Sequence, residues 1–264
     1  NTLIAHVQAG DRSGHIDDIT RMTLSKLCHI HFPATNKAKI RLIKLGEEKF
    51  RIFKVGAPQL DDINYKKIIK NKYIKLNNTK INLSKKYIVI LQHSVFKDQK
   101  NYAKIFEKTL IATSKLGLKV YIIYPNYDPG YKFIIKLIKK YQKNYKNIFF
   151  IYKHINREKF LNLIANSVAL VGNSSSGILE TPSLKVPAVN IGDRQNMREQ
   201  NSNIINCKYD SKQIAKAIKK SFYLKKKLKN LKNLHGDGKS SLRIFNIIKN
   251  IKDYKKYLIK NTTY

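Results

Sequence analysis

The polar turn Asn173-Ser-Ser-Ser-Gly177 is the stretch of this chain best equipped for chemistry. It follows a short apolar run, Val168-Ala-Leu-Val171, which Gly172 bounds and which reads as a buried strand; Ser176 to Leu184 has helical spacing, and Pro187-Ala-Val-Asn190 reads as the next strand. A turn between a strand's carboxyl end and a helix's amino end offers backbone N–H groups, the positive end of a helix dipole and three hydroxyls, a combination that suits a phosphate group. Glu180, about one helical turn further on, puts a carboxylate where ribose hydroxyls could donate to it. Serines in such a turn also cap helices with no ligand present, so the surrounding elements decide between the two readings.

Those elements alternate between strand and helix, the pattern of a parallel sheet. Thr2–Val7 reads as a strand, ended by the loop Gln8-Ala-Gly-Asp-Arg-Ser-Gly14; Asp17 and Asp18 precede a helical segment, Ile19–Cys28, and can cap its first turn. His29–Thr35 is strand-like, Asn36 is placed to cap a helix over Lys37–Leu45 that Gly46 terminates, and Arg51–Val55 reads as another strand. From Tyr65 to Lys86 the chain is rich in Lys and Asn with weak periodicity, and a domain boundary is expected there. Tyr87–Leu91, Val120–Tyr124 and Ile148–Tyr152 are further strands, separated by helices over Asp98–Leu116 and up to about Tyr145; a helix over Glu158–Asn166 leads into the opening turn. Four consecutive strands thus end in polar groups: Gln92/His93, Asn126/Asp128, Lys153/His154 and Asn173/Ser174/Ser175. In an open α/β sheet the carboxyl strand ends line the ligand crevice, and chance would scatter such groups over both ends. Gly192-Asp-Arg194-Gln195-Asn-Met-Arg198 follows the last strand and brings two arginines, as expected where a diphosphate is neutralised. Ser211 is placed to cap a helix over Lys212–Leu224, a last helix spans Ser240–Ile251, and the polar tail from Asp253 to Tyr264 is expected to fray. Residues 1–65 are read as the later part of a first Rossmann-like domain, 66–238 as a second, nucleotide-binding one, and 239–264 as a C-terminal helix and tail.

The 264 residues carry a net charge of +36, from 53 Lys and Arg against 17 Asp and Glu, which at first suggests a nucleic-acid partner. The excess is spread along the whole chain, is nearly all Lys, and accompanies many Asn and Ile; a codon bias accounts for it as well as a ligand does. Only eight residues are Arg, the side chain best suited to bidentate recognition, and runs such as Lys225-Lys-Lys227 read as solvated faces. No run of about 18 uncharged apolar residues predicts a membrane span. Cys28 and Cys207 lack metal-ligand spacing, so a cytoplasmic protein with free thiols is expected. The chain does not begin with Met, and Asn1–His6 looks like the inside of a strand; an upstream segment is expected.

Six motifs in order resemble the UDP-N-acetylglucosamine 2-epimerase family, and especially its hydrolysing branch of sialic-acid and nonulosonate synthesis. They are His6-Val-Gln-Ala-Gly10 with Ser13-Gly-His-Ile-Asp-Asp18, Arg21 and Leu27-Cys-His-Ile-His31; Leu91-Gln-His93; Tyr124-Pro-Asn-Tyr-Asp128; Lys153-His154; Gly172-Asn-Ser-Ser-Ser-Gly-Ile-Leu-Glu180; and Gly192-Asp-Arg-Gln195. The resemblance runs from the first residue to about Gly238. It implies an α/β fold of two Rossmann-like domains of the GT-B type facing each other across a cleft, the first only partly present. It also implies chemistry at C2 of the sugar of UDP-GlcNAc: a base removes the C2 proton as UDP leaves, and water adds to the glycal to release N-acetylmannosamine. That reaction demands an acid–base set near the sugar and cations or hydroxyls around the diphosphate.

Residue by residue, the resemblance makes Asp17 a catalytic carboxylate. It gives Ser174, Ser175 and Arg194 to the diphosphate, Glu180 to the ribose and His154 to uracil. His93, grouped with the catalytic set, and Asn126 match further nucleotide-sugar contacts. One departure bears on turnover: Gln8 stands where the family usually has a Glu of the acid–base machinery, and an amide exchanges no proton at neutral pH. Asp11, three residues on, is the nearest acid. The Asp17-Asp18 pair favours the hydrolysing branch; a non-hydrolysing epimerase, a sister acting on UDP-diacetylbacillosamine, and a nucleotide-sugar binder that has lost catalysis are the other readings. No cofactor and no metal are expected, since His6, His15, His29 and His31 have no ligand-like spacing. The expected partners are a UDP-sugar and further copies of the chain in a dimer or tetramer, with no nucleic acid and no membrane.

Overall fold

The computed structural model describes residues 2–14, 17–95, 101–261 and 263, which form two compact units. Unit 1 comprises residues 1–63, 196–199 and 232–264; unit 2 comprises 64–195 and 200–231.

Unit 2 is built on six parallel strands: β5 (Tyr87–Leu91), β6 (Lys119–Ile123), β7 (Phe149–Tyr152), β8 (Leu170–Gly172), β9 (Ala188–Ile191) and β10 (Ile204–Cys207). Their order is β10-β9-β8-β5-β6-β7, so the first strand in sequence lies in the middle and the chain winds outward first to one side and then to the other. All five residues of β5 are buried, as a central strand with both faces covered requires. The strand order reverses between β5 and β8, which pair through Val89 with Leu170, Ile90 with Val171 and Leu91 with Gly172. Such a switch point leaves a crevice at the carboxyl ends of the strands. Helices α4 (Tyr102–Ser114), α5 (Tyr131–Asn144), α6 (Arg157–Asn166) and α8 (Ser211–Lys227) pack apolar stripes such as Phe106 with Leu110 and Ile134 with Ile138 against the sheet. The stretch from Tyr65 to Lys86, which has weak periodicity in the sequence, holds a short helix, α3 (Tyr65–Ile68), and an antiparallel hairpin of β3 (Tyr73–Leu76) and β4 (Thr79–Asn82). Its turn puts Asn77 at φ +50°, a conformation asparagine tolerates better than most residues.

In unit 1, β1 (Ala5–Val7) and β2 (Ile30–Phe32) are parallel and joined by α1 (Asp17–Leu27); α2 (Asn36–Lys44), α9 (Ser240–Lys249) and α10 (Lys255–Leu258) complete it. Ile30, Phe32 and Val55 form a small core onto which Ile244 and Ile247 of α9 pack.

Several sequence expectations are corrected. Arg51–Val55 is not a strand: Lys49–Arg51 forms a 3-10 turn and Ile52 makes a lone bridge to His31, because the fully buried Arg51 turns inward to bond carbonyl groups. The helix expected over Ser176–Leu184 is one turn, α7 (Ser176–Leu179); Pro182 has no N–H to continue it, and Lys185 turns the chain at φ +56°. Helices α2 and α8 are capped one residue earlier than expected, by Thr35 and Asp210, whose side chains accept from the Ala38 and Gln213 N–H groups. Within the tail, residues 255–258 are helical rather than frayed, and Arg51 donates to the Tyr257 carbonyl at 2.6 Å; positions 262 and 264 lie outside the described residues. Strand β10 was not foreseen. The expected helix start at Asp98 and the positions of His15 and Ile16 lie outside the described residues.

Candidate functional site

The four polar strand ends of unit 2 open into a single cleft of about 980 Å³ lined by His93, Asn126, Lys153, His154, Ser174, Ser175 and Arg194, together with Arg157 and Lys139. The parallel sheet accounts for this gathering, since β5 to β8 all run the same way and their carboxyl ends share one edge.

Asn173, fully buried just after β8, organises the centre of the cleft. Its side-chain oxygen accepts from the His93 N–H at 2.7 Å and its amide donates to the His93 carbonyl at 3.0 Å, so the side chain bridges the two strand ends where the ladder stops. The same amide donates to the Tyr102 hydroxyl at 3.1 Å, and that hydroxyl donates to the His93 carbonyl. On its other side the Asn173 backbone carbonyl accepts from Arg194 Nη1 at 3.1 Å and from Gln195 Nε2 at 3.2 Å. One residue thereby fixes groups from three strand ends.

His93 Nδ1 accepts from the Asn126 backbone N–H at 3.1 Å, which leaves the ring proton on Nε2. Burial, helped by the Arg194 charge, pushes its pKa down to about 3. His93 is therefore neutral at neutral pH and offers a fixed Nε2–H to the cleft. Arg194 supplies positive charge at the cleft, and its Nε is buried without a partner among the described residues. Because α7 is a single turn, the dipole expected behind Ser174 and Ser175 is slight, and the positive charge of the cleft comes from Arg194, Arg157, Lys139 and Lys153. Ser174 Oγ accepts from the Ser176 N–H at 3.3 Å, a local cap that leaves its hydroxyl proton to donate.

Glu180 does not line the cleft. Its side chain is buried and one carboxylate oxygen is held by Arg157 Nη1, while the other has no partner among the described residues. Arg157 went unnoticed in the sequence. Two signals mark it: it is one of eight arginines in a lysine-rich chain, and it occupies the first turn of α6, where a cation opposes the helix dipole. Tyr102 gives no such signal, since it reads simply as an apolar helix position.

The remaining candidates belong to unit 1. Asp18 accepts from the Ser13 N–H at 2.8 Å, the Ser13 hydroxyl at 2.9 Å and the Gly14 N–H at 2.9 Å, and pairs with Arg21 at 3.2 Å. Burial alone would raise its pKa, but these donors outweigh burial and hold it below the usual carboxylate range. Asp18 therefore ties the loop to α1, whereas Asp17 beside it is 54% exposed and only 3.8 Å from Arg21. Gln8 has φ +58° and donates through Nε2 to Gln59 Oε1 at 2.8 Å. Asp11 is ion-paired with the nearly buried Arg198. Among the described residues no group of three or more His, Cys, Asp or Glu side chains is arranged to hold a metal ion, and no helix is long and apolar enough to cross a membrane.

A doubly wound parallel sheet with phosphate-suited groups at its switch point defines a Rossmann-like unit, here of the GT-B-like class. The chain belongs to the UDP-N-acetylglucosamine 2-epimerase family, whose profile matches residues 1–249. It is 34% identical over its whole length to a hydrolysing UDP-N,N'-diacetylbacillosamine 2-epimerase of Legionella pneumophila, of which it covers 69%. A hydrolysing GDP/UDP-N,N'-diacetylbacillosamine 2-epimerase of Campylobacter jejuni is 31% identical over 76% of this chain and 53% of its own length. The crystal structure of Methanocaldococcus jannaschii UDP-GlcNAc 2-epimerase in complex with UDP-GlcNAc and UDP superposes with a TM-score of 0.74 at 22% identity, covering 94% of this chain and 69% of that one. At that identity the superposition speaks for the fold alone.

Proposed function

We propose that this chain carries hydrolysing 2-epimerase chemistry on a UDP-linked 2-acetamido sugar. The observation that carries the reading is the switch-point cleft itself. There a neutral His93 donor, the Ser174 and Ser175 hydroxyls and the Arg194 charge converge around the Asn173 scaffold, in a member of a family of UDP-sugar 2-epimerases.

In this reading the diphosphate lies against Ser174, Ser175 and Arg194, uracil lies near His154, and Asn126 and His93 contact the nucleotide sugar. For Glu180 to take the ribose hydroxyls, the ligand must displace Arg157 from its carboxylate. The carboxylate of Asp17 serves the proton transfer at C2, while UDP departs with the C1–O electron pair; water then adds across the resulting glycal and the C2 centre is reprotonated on the opposite face. A fixed cation and fixed donors stabilise the leaving diphosphate without rearranging, which is where such a site lowers the barrier. Gln8 supplies no proton and acts through its amide only.

Two relatives with hydrolysing activity on UDP-diacetylbacillosamine favour that sugar over UDP-GlcNAc as the substrate. The test is proton NMR in deuterated water with each nucleotide sugar in turn. The reading expects free UDP together with a free 2-epimeric sugar deuterated at C2, faster from the preferred substrate. A UDP-linked epimer would move the chain to the non-hydrolysing branch. An unchanged spectrum with UDP nevertheless binding would leave a nucleotide-sugar binder without catalysis. The free thiols of Cys28 and Cys207 accord with a cytoplasmic setting.

A further inference from the structure

Helix α1 carries Asp17 at its start, yet apolar burial does little to hold it. Among its described residues only Ser25 is buried, while Ile19, Leu24 and Leu27 are 78%, 43% and 64% exposed. Polar tethers hold it instead. At its amino end Asp18 binds the Ser13–Gly14 loop; on its flank Ser25 Oγ lies 3.1 Å from His6 Nδ1 of β1.

At its carboxyl end the tether comes from the far end of the chain. The Lys260 ammonium lies 2.9 Å from the Ser25 carbonyl and 2.8 Å from those of Lys26 and Cys28, the carbonyls that a helix terminus leaves without intrahelical partners. It also lies 2.8 Å from Glu47 Oε2, a fully buried carboxylate that meets His31 Nε2 at 2.9 Å and Lys26 Nζ at 3.4 Å. A cation at a helix carboxyl end is favourable in itself, and here it also compensates a buried charge, whose loss of a partner is costly. The segment that delivers Lys260 is anchored separately. Arg51, fully buried, donates to the carbonyls of Tyr257 and Ile259 and pairs with Glu48 at 2.6 Å, while Phe50 meets the Tyr257 ring edge-on at 5.4 Å. The segment that supplies Tyr257, Ile259 and Lys260 lies beyond residue 249, where the family match stops.

We propose that residues 255–260 clamp α1, and that Lys260 is a positioning residue for Asp17, which the same helix carries at its other end. The role in turnover rests on the reading of Asp17 given above; the clamp itself does not. An 11-residue helix is about 16 Å long, so a small rotation where Lys260 grips its carboxyl end displaces Asp17 by an ångström or more, and a misplacement of about 1 Å can cost about 100-fold in rate.

The experiment compares the unaltered chain with Lys260→Met and Lys260→Arg in three measurements. These are amide hydrogen exchange of peptides covering 17–27, UDP affinity by titration calorimetry, and release of UDP from the nucleotide sugar. Lys260→Met is expected to speed exchange in α1 and lower kcat about tenfold or more, while UDP affinity, a property of the unit 2 cleft, stays within about twofold and reports that the protein is folded. Lys260→Arg, which keeps charge and donors, is expected to recover most of both losses. Unchanged exchange in α1 would overturn the clamp. Faster exchange with unchanged kcat would overturn the positioning role, and an equal loss of UDP affinity and kcat would reduce Lys260 to general stability. If the unaltered chain binds UDP but turns nothing over, the reading of function fails, and the exchange data still decide the clamp. Should Lys260→Met not fold, Lys260→Gln, which keeps two donors, takes its place in the same comparisons.

Discussion

Replacing Asn173 by alanine tests the central claim about the cleft, that one buried amide holds its strand ends together. Three side-chain hydrogen bonds go: two to the His93 backbone and one to the Tyr102 hydroxyl. The losses differ in kind. The His93 carbonyl keeps Tyr102 as a donor, but the His93 N–H loses its side-chain acceptor where His93 is only 5% exposed. A buried donor left without a partner costs about 1–3 kcal/mol, and the other bonds contribute about 0.5–1.5 kcal/mol each, not additively. A total near 2–4 kcal/mol is expected, which for a chain of this size lowers Tm by roughly 4–16 °C. Tyr102→Phe removes only the hydroxyl and should cost less, about 0.5–1.5 kcal/mol. The assay is thermal unfolding of both variants and their combination, with UDP titrated into each. Asn173→Ala keeps the backbone carbonyl that accepts from Arg194 and Gln195 but loses both side-chain bonds that fix the His93 backbone at the cleft, so UDP affinity should fall more in Asn173→Ala than in Tyr102→Phe. An Asn173→Ala protein with unchanged Tm and unchanged UDP affinity would refute the argument, as would strict additivity in the combined variant, since the two side chains share a partner.

Three further outcomes follow from the geometry. Gln8→Glu restores the acid that the family usually has at this position and should raise turnover, by up to about 100-fold if proton transfer limits the rate, without changing UDP affinity; initial rates of UDP release read this directly. Gly172→Ala should prevent folding of unit 2, because at φ +138° a Cβ would lie 2.2 Å from the Leu91 carbonyl oxygen of the neighbouring strand; soluble yield and hydrogen exchange of β5 and β8 are the measures. Acid should destabilise the fold before its carboxylates titrate. Burial pushes His93 down to about 3 and His31 down to about 4, from an ordinary 6.5. Between pH 6.5 and those values the unfolded chain binds protons that the folded chain excludes, so stability falls as pH drops through that window and is insensitive to these groups above it. A Tm that holds steady or rises from pH 7.5 to 5 would contradict this.

Much of unit 2 is legible in the sequence because its physics is periodic. Tyr87–Leu91 is apolar throughout, as a strand buried on both faces must be, and polar residues placed just past four such runs point to one edge of a parallel sheet. What escapes is contact made far along the chain. Strand β10 escapes because its pattern is half-buried at the sheet edge and includes Asn206, so no apolar run announces it. The Arg51 stretch looks β-like by composition, yet a buried guanidinium takes tail carbonyls more than 200 positions away, and no local pattern encodes that. The hairpin over Tyr73–Asn82 was within reach, since Tyr73, Ile74, Lys75 and Leu76 alternate exposed and buried, but its many lysines obscure the alternation. In the candidate site, the motif residues around Ser174 and Arg194 are visible as residue types, whereas the shielding of Glu180 by Arg157 and the tautomer of His93 exist only as three-dimensional arrangements.

The discontinuity of unit 1 has a consequence for biosynthesis. Unit 2 holds all its residues once position 231 has left the ribosome, but unit 1 draws on positions 1–63, 196–199 and 232–264. Its first helix therefore emerges more than 200 residues before the lysine that grips it. Domains generally fold as units while the chain is made, so the nascent α1 must wait through the whole synthesis of unit 2 for the lysine that meets its carboxyl end. The lag makes unit 1 the later-folding half and the natural point of engagement for a chaperone during translation.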